Sequence, residues 1–195
     1  MELRQFLPNT IIISPIGEIE DDILKAIEKG VKDAFGYPTE ITPLIENVDF
    51  AYDAHRDQYH STPILERLSD TAPAHCLKIL GIVDVDLFIP ILTHVYGEAQ
   101  LGGKASIIST YRLKKGILEP FRSEKYVCRL RKEAAHELGH TFNLKHCREQ
   151  SCIMHYCRRI EDVDHKSERF CRYCKILLND EIKRLRAKGI KPLPT

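Results

Sequence analysis

The sequence has no excess of charge of either sign, no long hydrophobic run, and no internal repeat or low-complexity tract. Its 29 Lys and Arg residues nearly balance its 28 Asp and Glu residues, leaving a formal net charge of +1, which argues against nucleic acid or an anionic membrane as the main partner. The stretch before Gly17 has only a few consecutive apolar residues between its prolines. Because that is too short for a signal-peptide core or a membrane span, we expect a cytoplasmic protein with no membrane anchor and no zymogen pro-segment.

The size and composition are those of an ordinary globular protein. The 195 residues, 43% of them hydrophobic, suffice to bury a core within one domain, and we expect a monomer. The seven cysteines divide into four with the spacing of metal ligands and a remainder of Cys76, Cys128 and Cys157. A reducing compartment tolerates such an odd remainder, so we do not expect a disulfide framework.

The N-terminal segment predicts a β-α-β arrangement. Thr10–Ser14 is a β-branched run typical of a buried strand. Apolar residues then recur every three or four positions up to Phe35, acidic residues precede them, and Gly36 follows. This pattern predicts an amphipathic helix that ends at Gly36. The segment Glu40–Val48 is expected to form the second strand.

The remainder of the chain predicts further strands and helices of a mixed α/β protein. Strands are predicted at Leu77–Val83, Thr93–Glu98 and Ala105–Thr110, with loops at 51–60 and 84–90. Helices are predicted from Ser61, whose hydroxyl would cap it, from about Ser123 through the histidines described next, and over Lys175–Lys188 up to Gly189.

The segment from His136 to His146 combines three imidazoles with one carboxylate. His136 and His140 are four residues apart, so on a helix their rings project from one face and can reach the same metal ion. Glu137 is placed to take a proton from a metal-bound water as that water attacks a carbonyl. The spacing therefore predicts a catalytic zinc site with these three histidines as ligands and Glu137 as the general base.

The third histidine requires a break in the helix. A continuous helix would turn His146 away from His136 and His140, so the chain must bend between His140 and His146. Patterns of this kind have glycine at the bend, and this sequence has Asn143. Asparagine is the non-glycine residue best suited to a left-handed conformation. Because the replacement costs under about 1 kcal/mol, the turn remains possible.

The histidine motif resembles the signature of the metzincin metallopeptidases, and the cysteines after it resemble those of the archaemetzincins in particular. The matching residues are His136-Glu137-x-x-His140-x-x-Asn143-x-x-His146, Cys147-x4-Cys152-x-Met154 and Cys171-x2-Cys174. The resemblance implies a zinc metallopeptidase fold with a mixed twisted sheet, a backing helix, an active-site helix and a small zinc-stabilised lower subdomain. We expect residues 1–143 to form the upper part of one catalytic domain and residues 144–195 the lower part.

The resemblance also implies roles for Met154 and Tyr156. Met154 is expected to form the Met-turn, with its thioether beneath the imidazoles and no bond to zinc. Tyr156 stands at an offset where some metzincin relatives carry a tyrosine that reaches the metal or the developing oxyanion. A hydroxyl donor in the transition state is therefore one role for Tyr156, and simple packing near the turn is the other.

Two pairs of cysteines follow the histidines, namely Cys147 with Cys152 and Cys171 with Cys174. Four thiolates are the usual ligands of a closed structural zinc site, and the alternatives are two disulfides or free buried thiols. We expect a second zinc ion here that pins the lower subdomain and holds the chain after His146. Cys157 is a rival ligand because it repeats the spacing of the first pair, but the two-residue gap of the second pair is the stronger zinc motif.

A substrate peptide is expected to add as a strand to an exposed sheet edge above the metal helix. The segment Val95–Gln100 is the candidate edge, since glycines flank it and polar residues interrupt it. The predicted substrate-binding residues are Tyr96, Gly97, Glu98 and Ala99. An ordinary internal strand followed by a turn is the alternative interpretation of the same residues.

Three functional classes fit parts of the sequence. A zinc metallopeptidase that acts on peptides or proteins fits the whole motif and is the leading hypothesis. A zinc-stabilised binding protein with little turnover would carry the same residues, so the sequence does not separate these two. A nucleic-acid zinc module would need basic residues interleaved with aromatic ones, and the balanced charge counts against it.

Overall fold

The chain folds into a five-stranded mixed sheet with helices on both faces. The structure is a computed structural model that describes residues 9–120 and 123–190; the first eight residues of the opening stretch lie outside this description. The strands are β1 (Thr10–Pro15), β2 (Thr39–Ile41), β3 (Tyr52–Asp53), β4 (Gln58–His60), β5 (Cys76–Val83), β6 (Leu87–Phe88), β7 (Gly97–Ala99) and β8 (Ala105–Ser109). The helices are α1 (Asp21–Phe35), α2 (Ser61–Asp70), α3 (Glu124–Thr141), α4 (Ile160–His165) and α5 (Arg172–Ala187), with short 3₁₀ turns at Asp49–Ala51 and Arg112–Lys114.

The structure confirms the predicted β-α-β start. Strand β1 pairs in parallel with β2 on one side and with β5 on the other. Gly36 ends α1 with a φ of 73° and donates its N–H to the Lys32 carbonyl, in a left-handed cap that glycine adopts without a steric penalty. The second strand is shorter than predicted. It ends at Ile41, so most of Glu40–Val48 lies outside the sheet.

The sheet has the order β2-β1-β5-β8-β7, and β7 alone among these strands runs antiparallel to its neighbour. Successive side chains of β1 point to opposite faces of the sheet. On one face Ile11 and Ile13 pack with α1 and α3, and on the other Ile12 packs with α2. Strand β5 is buried along its whole length, as expected of a parallel strand covered on both faces. Strand β7 is thereby left at one edge of the sheet. No helix among the described residues is long and apolar enough to cross a lipid bilayer.

Short strands occur where the sequence predicts loops. Segment 51–60 contains β3 and β4, which pair antiparallel, and β6 from segment 84–90 pairs with β4. The Arg56 and Gln58 side chains donate to the Thr93 carbonyl, at 3.2 and 3.0 Å. These contacts join residues more than thirty positions apart, so the local sequence pattern does not predict them.

Two boundary predictions are also corrected. Ser61 is the first residue of α2 rather than its cap, and the residue before the helix is His60. The predicted strand at Thr93–Glu98 is displaced towards the C-terminus, since β7 spans Gly97–Ala99. Helix α4 is absent from the sequence-based prediction, because six residues give too short a periodic pattern.

Charged side chains of α3 hold the segment that contains α4. The guanidinium of Arg129, which is 2% exposed, donates two hydrogen bonds of 2.7 and 2.8 Å to the Asp164 carboxylate. The Lys132 ammonium donates to the Val163 carbonyl at 2.9 Å. Because α4 buries few apolar side chains, these contacts provide much of its attachment to α3.

Candidate active site and cysteine cluster

Helix α3 brings two histidines to one side of the site. His136 and His140 lie one turn apart, and their Nε2 atoms are separated by 3.2 Å. His146 approaches from the segment after the helix, with its ring centroid 5.3 Å from that of His136 and 4.8 Å from that of His140. The structure therefore gathers the three histidines, with one ligand nitrogen of each within 4.8 Å of the others.

Backbone carbonyls fix the orientation of two of the rings. His136 Nδ1 lies 2.8 Å from the Ile153 carbonyl, and His140 Nδ1 lies 2.7 Å from the Leu144 carbonyl. A carbonyl oxygen can only accept a hydrogen bond, so each Nδ1 carries the proton and each Nε2 is left with a free lone pair. Three neutral imidazoles, two of them supported in this way, fit zinc, and backbone carbonyls are partners that hold such ligands in place.

The helix breaks after His140 at a left-handed residue. Asn143 has a φ of 63° and donates its N–H to the His140 carbonyl at 2.9 Å. Lys78, from the middle of β5, donates from its ammonium to the Thr141 carbonyl at 2.6 Å and to the Gly103 carbonyl at 2.7 Å. This buried cation satisfies a carbonyl at the negative end of α3 and fixes where the helix stops.

Met154 packs against Gly139, the glycine of α3 that lies between His136 and His140 in the sequence. Its side chain is fully buried, and a Cβ atom built on Gly139 would lie 2.5 Å from its Sδ. Since that separation is closer than nonbonded atoms approach, the thioether can sit there because residue 139 has no side chain. A glycine inside a helix costs about 1 kcal/mol relative to alanine, which is the one signal in the sequence that points to this contact.

Glu137 lies where the edge strand meets the catalytic helix. Its side chain is 6% exposed, and a Cβ atom built on Gly97 would lie 2.7 Å from its Cγ. Gly97 therefore lets β7 approach the carboxylate closely. The motif suggests the role of Glu137, but it does not show that a glycine on another strand makes room for it.

The site is arranged so that its groups resist taking up charge. Burial, together with repulsion from Glu133, raises the pKa of Glu137 well above its ordinary value, although Lys166 opposes this. Burial lowers the pKa of His136 well below its ordinary value, and burial with the charge of neighbouring His140 lowers the pKa of His146 to about 4. The histidines are therefore neutral at physiological pH, as metal ligands must be.

A buried ion pair lies behind the histidines and was not foreseen from the sequence. The Lys166 side chain is fully buried, and its Nζ lies 2.7 Å from the Glu133 carboxylate and 3.5 Å from His136 Nδ1. Glu133 lies one turn before Glu137 and lines the same cleft. Lys166 lies thirty positions after His136, and no sequence pattern connects the two. The spacing of Glu133, four residues before Glu137, is the signal that could have suggested a second carboxylate on the same face of the helix.

The four cysteines of the predicted second site also come together. One Sγ from each lies within 4.8 Å of the others, and all the described cysteines are free thiols rather than disulfides. The sulfurs of Cys147 and Cys171 are 3.7 Å apart, and the backbone N–H groups of Cys171 and Cys174 donate to cluster sulfurs at 3.3 and 3.5 Å. Four sulfurs at this spacing suit a tetrahedral zinc site, and backbone donors stabilise thiolates.

Cys157 lies outside this cluster. Its thiol faces the His155 carbonyl at 3.5 Å and lines the active-site cleft. Burial raises the pKa of Cys157 to about 11. Of the two candidate ligand sets, the structure gathers the one that ends with Cys171 and Cys174.

Tyr156 stands beside the histidines at the mouth of the cleft. Its side chain is 39% exposed, and its ring centroid lies 4.9 Å from that of His146. The guanidinium carbon of Arg158 lies over the same ring, 5.9 Å from its centroid. Tyr156 is thus held next to a ligand while it remains open to substrate.

The cleft above α3 has a volume of about 800 Å³. Residues 92–99 form one wall, and the histidines, Glu137 and Tyr156 line the opposite side. Among the described strands, β7 pairs with β8 only, and its neighbours Tyr96 and Gln100 make backbone hydrogen bonds to the β8 side. By the alternation of an antiparallel ladder, the backbone groups of Gly97 and Ala99 point to the free edge.

A helix that offers two histidines and a buried glutamate, with a third histidine after a bend, is the arrangement of a zinc metallopeptidase, and known proteins agree. The family model described as peptidase family M54 matches residues 23–180. Archaemetzincin from Methanocaldococcus jannaschii is 36% identical over 92% of this chain and 94% of its own length. Archaemetzincin from Pyrococcus furiosus is 33% identical over 92% of this chain and 97% of its own.

Solved structures show the same fold. The crystal structure of archaemetzincin from Methanopyrus kandleri matches with a TM-score of 0.80 and 30% identity, covering 91% of this chain and 97% of that one. Archaemetzincin from Archaeoglobus fulgidus, complexed with malonate, matches with a TM-score of 0.74 and 32% identity over 86% of this chain and 99% of that one. The chain belongs to peptidase family M54, the archaemetzincins, and is a zinc metallopeptidase.

Proposed function

We propose that the protein hydrolyses peptide bonds at the histidine site with Glu137 as the general base. The observation that carries this proposal is the burial of the Glu137 carboxylate at the floor of the cleft, on the same helix as two of the three histidines. A zinc ion held by the histidines would favour the ionised form of this buried carboxylate, which is the form that accepts a proton. The site thus joins a base and a ligand set in one pocket.

The histidines would hold zinc, which supplies Lewis acidity towards the substrate carbonyl and makes water easier to deprotonate. Glu137 accepts the proton of the attacking water and delivers it to the departing amine. The carbonyl of Ile153 keeps His136 turned towards the ion. Tyr156, beside His146, donates its hydroxyl to the oxygen on which charge develops.

A peptide substrate would extend the sheet at β7. The outward backbone groups of Gly97 and Ala99 offer it donors and acceptors at the free edge. Because Gly97 lies against Glu137, a strand paired there passes over the base. Tyr96 and Glu98 complete the wall from the two sides of Gly97.

The cysteine cluster would hold a second, structural zinc ion. Its ligands come from the segment after His146 and from the start of α5, so an ion there would tie that segment to the last helix. We propose accordingly one catalytic domain, in which residues 1–143 form an upper part with the sheet and the active-site helix, and residues 144–195 form a lower part with the Met-turn, the cysteine zinc site and the C-terminal helix. The chain would act as a monomer on peptides or proteins, without nucleic acid or membrane.

Hydrolysis of a quenched-fluorescent peptide library by the zinc-loaded protein tests this function. Wild type is expected to cleave members of the library, and both Glu137→Ala and Glu137→Gln to lose at least about 100-fold in kcat/KM while they keep their zinc. Glu66→Gln, an exposed glutamate on α2, is the matched control. Equal activity of wild type and the Glu137 variants would refute the proposal, and peptide binding without cleavage would favour the binding-protein alternative.

A further inference from the structure

Glu98 is a carboxylate of the cleft wall that the proposed reaction leaves without a specific role. It follows Gly97 in β7, so its backbone lies one residue from the point where the edge strand touches Glu137. Alternation along the strand turns its side chain towards α2. Glu98 is nevertheless among the residues that line the cleft.

The Glu98 carboxylate is held by two hydroxyl groups at the start of α2. Ser61, which is fully buried, donates from Oγ at 2.5 Å, and Thr62 donates from Oγ1 at 3.0 Å. The N-terminal end of α2 adds the favourable field of a helix dipole. These contacts fix the carboxylate in position, but none of them supplies a positive charge.

No lysine, arginine or histidine within residues 9–120 and 123–190 forms an ion pair with Glu98, whereas other acidic residues of the fold do have such partners. Lys145 and Arg158, the lysine and arginine among the lining residues, form no ion pair with it. A positioned carboxylate in a binding cleft, held by neutral donors only, is complementary to a cation that arrives with the ligand.

We propose that Glu98 is a specificity residue that binds a positively charged nitrogen of the substrate close to the scissile bond. The ligand group is an ammonium or guanidinium, supplied by a lysine or arginine side chain or by a free N-terminus. The inference depends on the proposed peptidase function, since it assigns the substrate class of the same cleft. The alternative role for Glu98 is to anchor α2 to β7 without contact to substrate.

Pairs of peptides that differ only in charge test this assignment. Lysine is placed at each position around the scissile bond and compared with norleucine, which has nearly the same shape, and each peptide is made with a free and an acetylated N-terminus. The zinc-loaded wild type is expected to prefer lysine by roughly 10- to 100-fold in kcat/KM at one position, or the free N-terminus by a similar factor. The arm that shows the preference identifies the source of the nitrogen.

Glu98→Gln is expected to bring that ratio close to one, because the amide keeps the contacts to the hydroxyls and loses the charge. Thr62→Val keeps the charge and loosens its position, so it is expected to give an intermediate ratio. Glu66→Gln, which makes the same change of charge on an exposed face of α2, is expected to leave the wild-type ratio intact. Binding of the same peptides to Glu137→Gln, measured by fluorescence anisotropy, should show the preference without turnover.

The outcomes separate the two proposals. Cleavage of every pair at equal rates by the wild type would overturn the role of Glu98 while the peptidase function stands. A lower melting temperature of Glu98→Gln with an unchanged substrate ratio would show that Glu98 only anchors α2, which also overturns it. If no peptide is cleaved, the peptidase function fails, and the binding ratio of the Glu137→Gln protein still decides whether Glu98 selects a cation.

Discussion

The Met154 thioether occupies the position that a side chain on Gly139 would take, since a Cβ atom on Gly139 would lie 2.5 Å from the Met154 sulfur. The residue before Met154 supplies the carbonyl that orients His136. The packing of the turn beneath the site and the orientation of a ligand ring are therefore connected through two neighbouring residues. A substitution of Gly139 should therefore change the orientation of the His136 ring, although Gly139 is not itself a predicted metal ligand.

Gly139→Ala tests this connection. Alanine is the better helix former by about 1 kcal/mol, yet we expect the variant to lose about 1–3 kcal/mol of unfolding free energy because Met154 must move. Zinc affinity of the histidine site should fall with it. Urea unfolding and zinc titration measure both effects. Gly30→Ala in α1 is the control, because its added Cβ meets the flexible Arg131 side chain at 3.2 Å; equal stabilisation of the two variants would contradict the prediction.

The Lys166–Glu133 pair is expected to show strong coupling. Lys166→Met should cost about 3–5 kcal/mol of unfolding free energy, because it leaves the buried Glu133 carboxylate without its cation. Glu133→Gln should cost a similar amount for the opposite reason. The double variant should cost much less than the sum. Denaturant unfolding of the four proteins gives the coupling energy, and additive losses would show that the pair is not a unit.

Asp164 should contribute to stability against acid. Hydrogen bonds from Arg129 hold the pKa of Asp164 at about 2, below its ordinary value of 3.8. A lowered pKa means that the folded protein releases this proton more readily, so the stabilisation is present above about pH 4 and is lost as the pH falls towards 2. Its size is at most about 2 kcal/mol.

The melting temperatures of wild type and Asp164→Asn, followed from pH 6 to pH 2, check this contribution. The difference between them should be largest at the upper end and should shrink as the pH falls. Asp180→Asn is the control, since Asp180 is 60% exposed and pairs only with Lys183. A difference that stays constant with pH would exclude the proposed ion pair as its cause.

Metal content should follow the two clusters. We expect two zinc ions per chain, one in a variant that lacks the His136 and His140 imidazoles, and loss of the cysteine-bound ion in Cys147→Ser. Cys157→Ser should keep both ions, because its thiol lies outside the cluster. Elemental analysis of the purified proteins measures this, and a Cys147→Ser protein with two ions would defeat the assignment.

Long, regular patterns made the frame of the fold predictable. Helix α1 shows an apolar residue every three or four positions and a glycine at its end, and β5 is a continuous apolar run. The strands β3, β4 and β6 have two or three residues each. β3 and β4 form a short local hairpin and β6 joins β4 from a distant segment, so none of them is long enough to show a periodic pattern.

The candidate site also has a part that the sequence predicts and a part that it does not. Spacing along one helix grouped His136 with His140, and cysteine spacing selected the set that the structure gathers. The contacts of Gly97 with Glu137 and of Lys166 with Glu133 join segments that meet only in the folded chain. A sequence alone does not show which glycine lies against Glu137 or which lysine pairs with Glu133, because these contacts form only when distant segments fold together.

The bond between His146 and Cys147 links the two clusters covalently, so we expect zinc binding at the two clusters to be cooperative. An ion held by the cysteines fixes the position of His146 beforehand, which removes the entropy cost of recruiting it to the other two histidines. Thermodynamic reciprocity then requires each ion to strengthen the other by the same factor. The fraction of active protein should consequently rise with the concentration of free zinc more steeply than a single independent site would allow.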